Sequence, residues 1–196
     1  MATATLGGIE LAGLLGGLTI IDKPVSSLPQ DLASALPELN AKLLGATYIP
    51  IRYMATQVVN GINHFMLCKD IRATKDKDTS IVVLVVNIPP GSVGGKNASI
   101  VRIIEEETNV PEEIRLIFEK ATKQLMGVGY KMLIYVGSQV VKGTNYHFVC
   151  ESRVLYPGAE PKAVHLVIND FQGQTSISSI TPITNSSESF MGTPLG

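Results

Sequence analysis

The sequence predicts an α+β protein of two tandem domains, each with one helix packed on a curved antiparallel sheet. Three observations predict it: the chain repeats itself at a fixed offset, each copy opens on a helix-period segment, and alternating glycine-punctuated segments follow. Two Gln-Val-Val runs start at 57 and 139, an offset of 82. At that offset residues 43–69 align with 125–151 without a gap, and ten of the 27 positions are identical. Ordinary composition would give about two. At the same offset Val82, Leu84, Val85, Asn87 and Gly91 meet Val164, Leu166, Val167, Asn169 and Gly173, and Pro29 meets Pro111. A whole domain has been duplicated. The boundaries read as 1–107 for a first domain with an N-terminal arm, 108–184 for a second, and 185–196 for a disordered tail of small and polar residues.

Each copy's helix starts at a polar cap followed three residues later by an amide or carboxylate: Ser27 with Gln30, and Asn109 with Glu112. Leu32, Leu36, Leu39 and Leu43 form one apolar face, and Ile114, Ile117, Phe118, Ala121 and Leu125 form the other. Pro37 lacks an N–H and predicts a kink or break in the first helix. Gly45 and Gly127 end the helices. Strands then follow at 47–59, 62–72, 79–89 and 98–106, and at 129–141, 144–155, 162–171 and 176–183. Thr144, Tyr146, Phe148 and Cys150 alternate with Asn145, His147, Val149 and Glu151, which predicts one face on a core and the other mostly wet.

Composition excludes several functions. Hydrophobic residues make up 45% and charged residues 17%, enough apolar surface for packed cores. The formal net charge is −1 and no basic cluster occurs, so the electrostatic footprint of a nucleic-acid binder is missing. No apolar run reaches the roughly 18–20 residues that span a bilayer. The small, apolar start resembles a signal sequence but lacks a basic lead and carries Glu10, so it reads as an extended arm of a cytoplasmic chain, with secretion as the alternative. Cys68 and Cys150 stand among apolar neighbours and read as buried structural thiols. His64, His147 and His165 make no nucleophile–base constellation and no metal spacing, so neither catalysis nor a cofactor is expected. Glu105-Glu106-Glu107 reads as a solvated boundary between the domains.

The repeated hairpin carries the functional signal. Val59-Asn60-Gly61 and Val141-Lys142-Gly143 are tight turns between β-branched strands, with glycine supplying positive φ. Exposed paired valines at a hairpin tip mark a contact site.

Gln57-Val58-Val59-Asn60-Gly61-Ile62-Asn63 and Gln139-Val140-Val141-Lys142-Gly143-Thr144-Asn145-Tyr146 resemble the Q-V-V-x-G-x-N-Y signature of the cystatin superfamily, most closely its stefin-type members. The resemblance runs over residues 14–183 and implies two tandem cystatin-like domains. It also implies reversible inhibition of papain-like cysteine proteases, by a wedge of an N-terminal glycine arm and two hairpins entering the protease cleft. In the first domain Gly16 and Gly17 would be the arm, Gln57, Val58, Val59, Asn60 and Gly61 the first hairpin, and Pro89 and Pro90 the second. In the second domain Gln139, Val140, Val141, Lys142 and Gly143 would be the first hairpin, with Phe171 and Gln172 at the second. Ala98-Ser99 stands where the second domain's arm would be and falls inside a strand of the first, so the first domain alone keeps a glycine arm. The implied partner is a papain-like protease, with no nucleic acid or membrane, and the chain is a monomer or a domain-swapped dimer. The alternative is a non-inhibitory protein-binding or structural module.

Overall fold

The computed structural model describes residues 4–6, 9–11, 18–43, 45–74 and 78–187. In chain order the early strands are β1 (Ala4–Leu6), β2 (Ile9–Leu11) and β3 (Leu18–Lys23), and α1 (Gln30–Lys42) follows. Next come β4 (Ala46–Val59), β5 (Gly61–Arg72), β6 (Thr79–Ile88) and β7 (Ser99–Ile104). The second repeat supplies α2 (Glu112–Thr122), β8 (Val128–Val141), β9 (Gly143–Val154), β10 (Lys162–Phe171) and β11 (Gln174–Pro182). Every strand of the repeats lies within two residues of its place in the sequence reading, because two-residue alternation is a strong local signal.

Two compact units form, and neither is contiguous in sequence. The unit of the first repeat is an antiparallel meander in the order β3-β4-β5-β6-β7. Its core joins Leu32, Ala35, Leu36 and Leu39 of α1 to Tyr53, Met66, Cys68, Val82, Leu84 and Val86 of the sheet. It also takes in residues 184–187 from the far end of the chain. Arg52 is fully buried, pairs with the Asp22 carboxylate, and donates from Nη1 to the carbonyl oxygens of Thr184 (3.1 Å) and Ser186 (2.8 Å). The Val25 amide donates to Asn185 Oδ1 at 2.7 Å. Asn185 and Ser186, assigned by the sequence to a disordered tail, are thus held in place.

The unit of the second repeat has the order β1-β2-β8-β9-β10-β11. Its core joins Ile114, Phe118 and Ala121 of α2 to Met132, Tyr135, Phe148, Cys150, Leu166 and Ile168. Phe118 meets Phe148 edge-on with ring centroids 5.2 Å apart. Its outer strands come from the chain's start: β2 pairs with β8 at Glu10 and Ser138, and β1 folds back on β2. Equivalent irregularities interrupt the register of β4 at Pro50/Arg52 and Tyr53/Ala55, and of β8 at Met132/Ile134 and Tyr135/Gly137. Such bulges bend and twist a strand, so the same curvature is written twice.

Several expectations are corrected. The predicted fold class, α+β with two tandem domains of one helix packed on a curved antiparallel sheet, does not hold. Among the described residues, those in strands far outnumber those in helices, so antiparallel sheet dominates. The sheets are unequal, and the first unit divides its helical residues between a 3-10 turn at Val25–Ser27 and α1. The physical reason is a competition for one segment. At the offset of 82, β7 corresponds to the residues that open β3, and β7 is already spent as the last strand of the first sheet. The second sheet therefore draws the strand beside β8 from residues 9–11.

The face of each sheet away from its helix is not wet either: Leu67, Val83 and Val85 are buried, as are Leu133, Val149 and Val167. Strands buried on both faces carry continuous apolar runs such as 81–86 rather than alternation. The helix caps differ too, since Pro29 and Pro111 occupy the N-cap positions without side-chain caps. Pro37 sits inside an unbroken α1. Ala33, whose carbonyl it leaves without a helix donor, is exposed, so water can take that acceptor.

Candidate functional site

At one end of each unit a glycine-turned tip projects beyond its sheet. In the first, β4 and β5 pair down to Val59 and Gly61, leaving Asn60 at the apex. Val58 is 76% exposed and its counterpart Val140 is 84% exposed, the pattern of a contact surface. Gly61 and Gly143 adopt φ of +94° and +89°. Space is the second constraint: a Cβ on Gly61 would sit 2.2 Å from the Ile88 carbonyl oxygen, and one on Gly143 2.4 Å from that of Asp170. Each tip is therefore pressed against the start of the unit's second turn. Glycine is demanded by this approach as well as by backbone conformation.

The second turns differ. In the first unit, residues 89–98 form a longer loop in which the Ser92 amide donates to the Pro89 carbonyl. Asp31 of α1 pins that loop by accepting from the Gly94 amide at 2.8 Å. In the second unit, Gln172 and Gly173 both take positive φ (53° and 77°) in a two-residue turn between β10 and β11. This is the hairpin geometry whose twist matches its strands. Lys142 Nζ lies 5.6 Å from the centre of the Phe171 ring, and Lys120 of α2 donates to the Gly173 carbonyl at 2.6 Å.

The sequence-predicted residues thus fall into two groups. Gln57, Val58, Val59, Asn60 and Gly61 come together with Pro89 and the adjoining Pro90. Gln139, Val140, Val141, Lys142 and Gly143 come together with Phe171 and Gln172. Gly16 and Gly17 lie outside the described residues. Strand β3, which follows them in sequence, runs beside the first tip with Leu18 opposite Gln57 and Thr19 opposite Thr56.

The second tip has a flanking strand in the matching place. Glu10 of β2 stands opposite Ser138, and Ser138 is the repeat counterpart of Thr56. Sequence reasoning names no strand there. The missed signal is a short repeat, Gly7-Gly8-Ile9-Glu10-Leu11 against Gly16-Gly17-Leu18-Thr19-Ile20. Asn87 and Asn169 were also missed as site residues, although the repeat offset matches them. The Asn87 amide Nδ2 donates to Asn63 Oδ1 at 2.9 Å, and Asn169 Nδ2 to Asn145 Oδ1 at 2.8 Å.

Other reactive groups lie away from the tips. Cys68 and Cys150 are free and buried, and desolvation raises both thiols, Cys68 to about 12, so neither is a thiolate near neutrality. Tyr53 donates or accepts at His64 Nδ1 over 2.7 Å, and burial pushes its phenol up to about 12. His147 and His165 stack with Nδ1 and Nε2 3.1 Å apart, and burial lowers the His147 pKa. Glu107, read as solvated, is buried and accepts from the Asn109 amide, while Glu105 pairs with Arg72 at the surface. No helix among the described residues is long and apolar enough to cross a membrane. No protein-family model matches the chain, and no curated protein matches it significantly.

Proposed function

We propose that this chain is a reversible inhibitor of papain-like cysteine proteases, not an enzyme, that inserts its two Gln-Val-Val-x-Gly tips into protease clefts. The observation that carries the reading is the repeated exposure of paired valines on a glycine-turned tip, each braced by a second turn and flanked by a strand from an earlier part of the chain. A tip already ordered in the free protein loses little entropy on docking, which favours binding by shape and backbone contact. Two free, buried thiols suit a cytoplasmic setting, which belongs to the same reading.

Titration against papain tests it. The unsubstituted chain should inhibit at micromolar concentration or below. Burying two valines contributes about 3 kcal/mol, roughly a hundredfold in affinity. Val58→Asp with Val59→Asp should therefore abolish the first tip's contribution, and Val140→Asp with Val141→Asp the second's. A chain that leaves papain fully active at micromolar concentration overturns the proposal.

A further inference from the structure

Three polar residues form a row across neighbouring strands just beneath the first tip. Gln57 of β4 stands opposite Asn63 of β5, and Asn63 stands opposite Asn87 of β6. Asn63 Nδ2 donates to Gln57 Oε1 at 3.3 Å, and Asn87 Nδ2 donates to Asn63 Oδ1 at 2.9 Å. Asn87 Nδ2 also reaches the backbone carbonyl of Asn60, at the apex of the turn, at 3.4 Å. A backbone carbonyl can only accept, so the Asn87 amide must present its nitrogen there.

The second unit repeats this arrangement with a different apex. Asn145 and Asn169 stand opposite each other, and Asn169 Nδ2 reaches Asn145 Oδ1 at 2.8 Å and the Lys142 carbonyl at 3.3 Å. The apex side chain changes from Asn to Lys while the tie to its carbonyl stays, so the tie acts on the backbone of the turn. The neighbours of the tying residue also change, from Ile88 and Pro89 to Asp170 and Phe171. Only a short carboxamide offers two N–H donors at this reach; a carboxylate of the same shape offers none at neutral pH.

We infer that Asn87 and Asn169 are positioning residues that fix the apex of each binding tip by holding its turn carbonyl from the adjacent strand. Their effect on protease binding rests on the inhibitor reading above, whereas their effect on the tip does not. Each removes freedom that the turn would otherwise lose on docking.

The test uses the full chain carrying Val140→Asp and Val141→Asp, so that the first tip alone is read, with Asn87→Asp or Asn87→Leu added. Amide hydrogen exchange without protease should speed up about tenfold at residues 59–61 in both variants at pH 7, while Met66 and Leu84 exchange as before. Affinity for papain with a blocked active site should fall about tenfold. For Asn87→Asp alone it should recover as pH drops toward 4, where the protonated carboxyl again has a donor. Unchanged exchange at the turn, or equal acceleration throughout the unit, overturns the inference. If no form binds papain but the turn exchanges faster as described, the tie stands and the inhibitor reading falls.

Discussion

The two units share a sheet, its bulges and its tip, yet they obtain their remaining parts from different places. The first takes its edge strand from the residues immediately before its helix, and its second turn is a long loop pinned to α1 through Asp31. The second takes the strand beside its tip from residues 9–11 and closes its second turn in two residues. The polar row beneath the first tip joins Gln57, Asn63 and Asn87, and the one beneath the second joins Asn145, Asn169 and the Lys142 carbonyl. The buried polar groups diverge as well: Arg52 with Asp22 in one, stacked His147 and His165 in the other. Duplication preserved what is encoded by local pairing and left free what is supplied from outside the repeat.

That comparison can be broken at the buried charges. Asp22→Asn leaves the Arg52 guanidinium buried without its counter-ion, an arrangement that costs about 3–5 kcal/mol. Chemical denaturation should record a loss of that size in the unit of the first repeat. A change below 1 kcal/mol would mean that the carbonyls of Thr184 and Ser186 suffice to hold Arg52.

The histidines sharpen the contrast through pH. Burial lowers the pKa values of His147 and His64, so the folded chain favours their neutral forms. Their contribution is fully present above the unfolded value of about 6.5 and is lost as pH falls below it, because the unfolded chain then binds more protons. The slope is at most about 1.4 kcal/mol per pH unit for each group. Urea unfolding at pH 7.5 and 5.5 should show this decline, and His147→Phe should make it shallower. An equally steep decline in that variant would move the acid sensitivity elsewhere.

The smallest expected effect concerns the strand beside the second tip. Ile9→Pro with Leu11→Pro cannot donate along β2. It should weaken papain binding about threefold to tenfold in a chain whose first tip carries Val58→Asp and Val59→Asp. In a chain whose second tip carries the equivalent aspartates it should have little effect. Equal effects in both backgrounds would show that β2 is not particular to the second tip.

Much of the sheet and both tips was legible because strand pairing between neighbours is encoded in local alternation, and the offset of 82 wrote it twice. Val58, Val59, Val140 and Val141 were found on that basis. The strand at residues 9–11 was not, because its partner in β8 lies more than a hundred residues away and its apolar, glycine-rich sequence reads as an arm. The burial of the second sheet face is legible in the unbroken apolar run 81–86, whereas the clearer alternation at 144–151 points to a wet face. Asn87 and Asn169 were visible as an identity, yet their role depends on a turn carbonyl whose position no spacing reveals.

The exchange of end segments also orders events during synthesis. Strand β2 leaves the ribosome more than a hundred residues before Ser138, the residue opposite it, so its pairing with β8 waits until the second repeat is made. Conversely, β3 to β7 can assemble while the second repeat is still being translated, but Arg52 then waits for two of its acceptors until Thr184 and Ser186 arrive. Each unit therefore matures only when the other's sequence has been read through, and a ribosome stalled between the repeats would hold a first sheet with a buried guanidinium only partly satisfied.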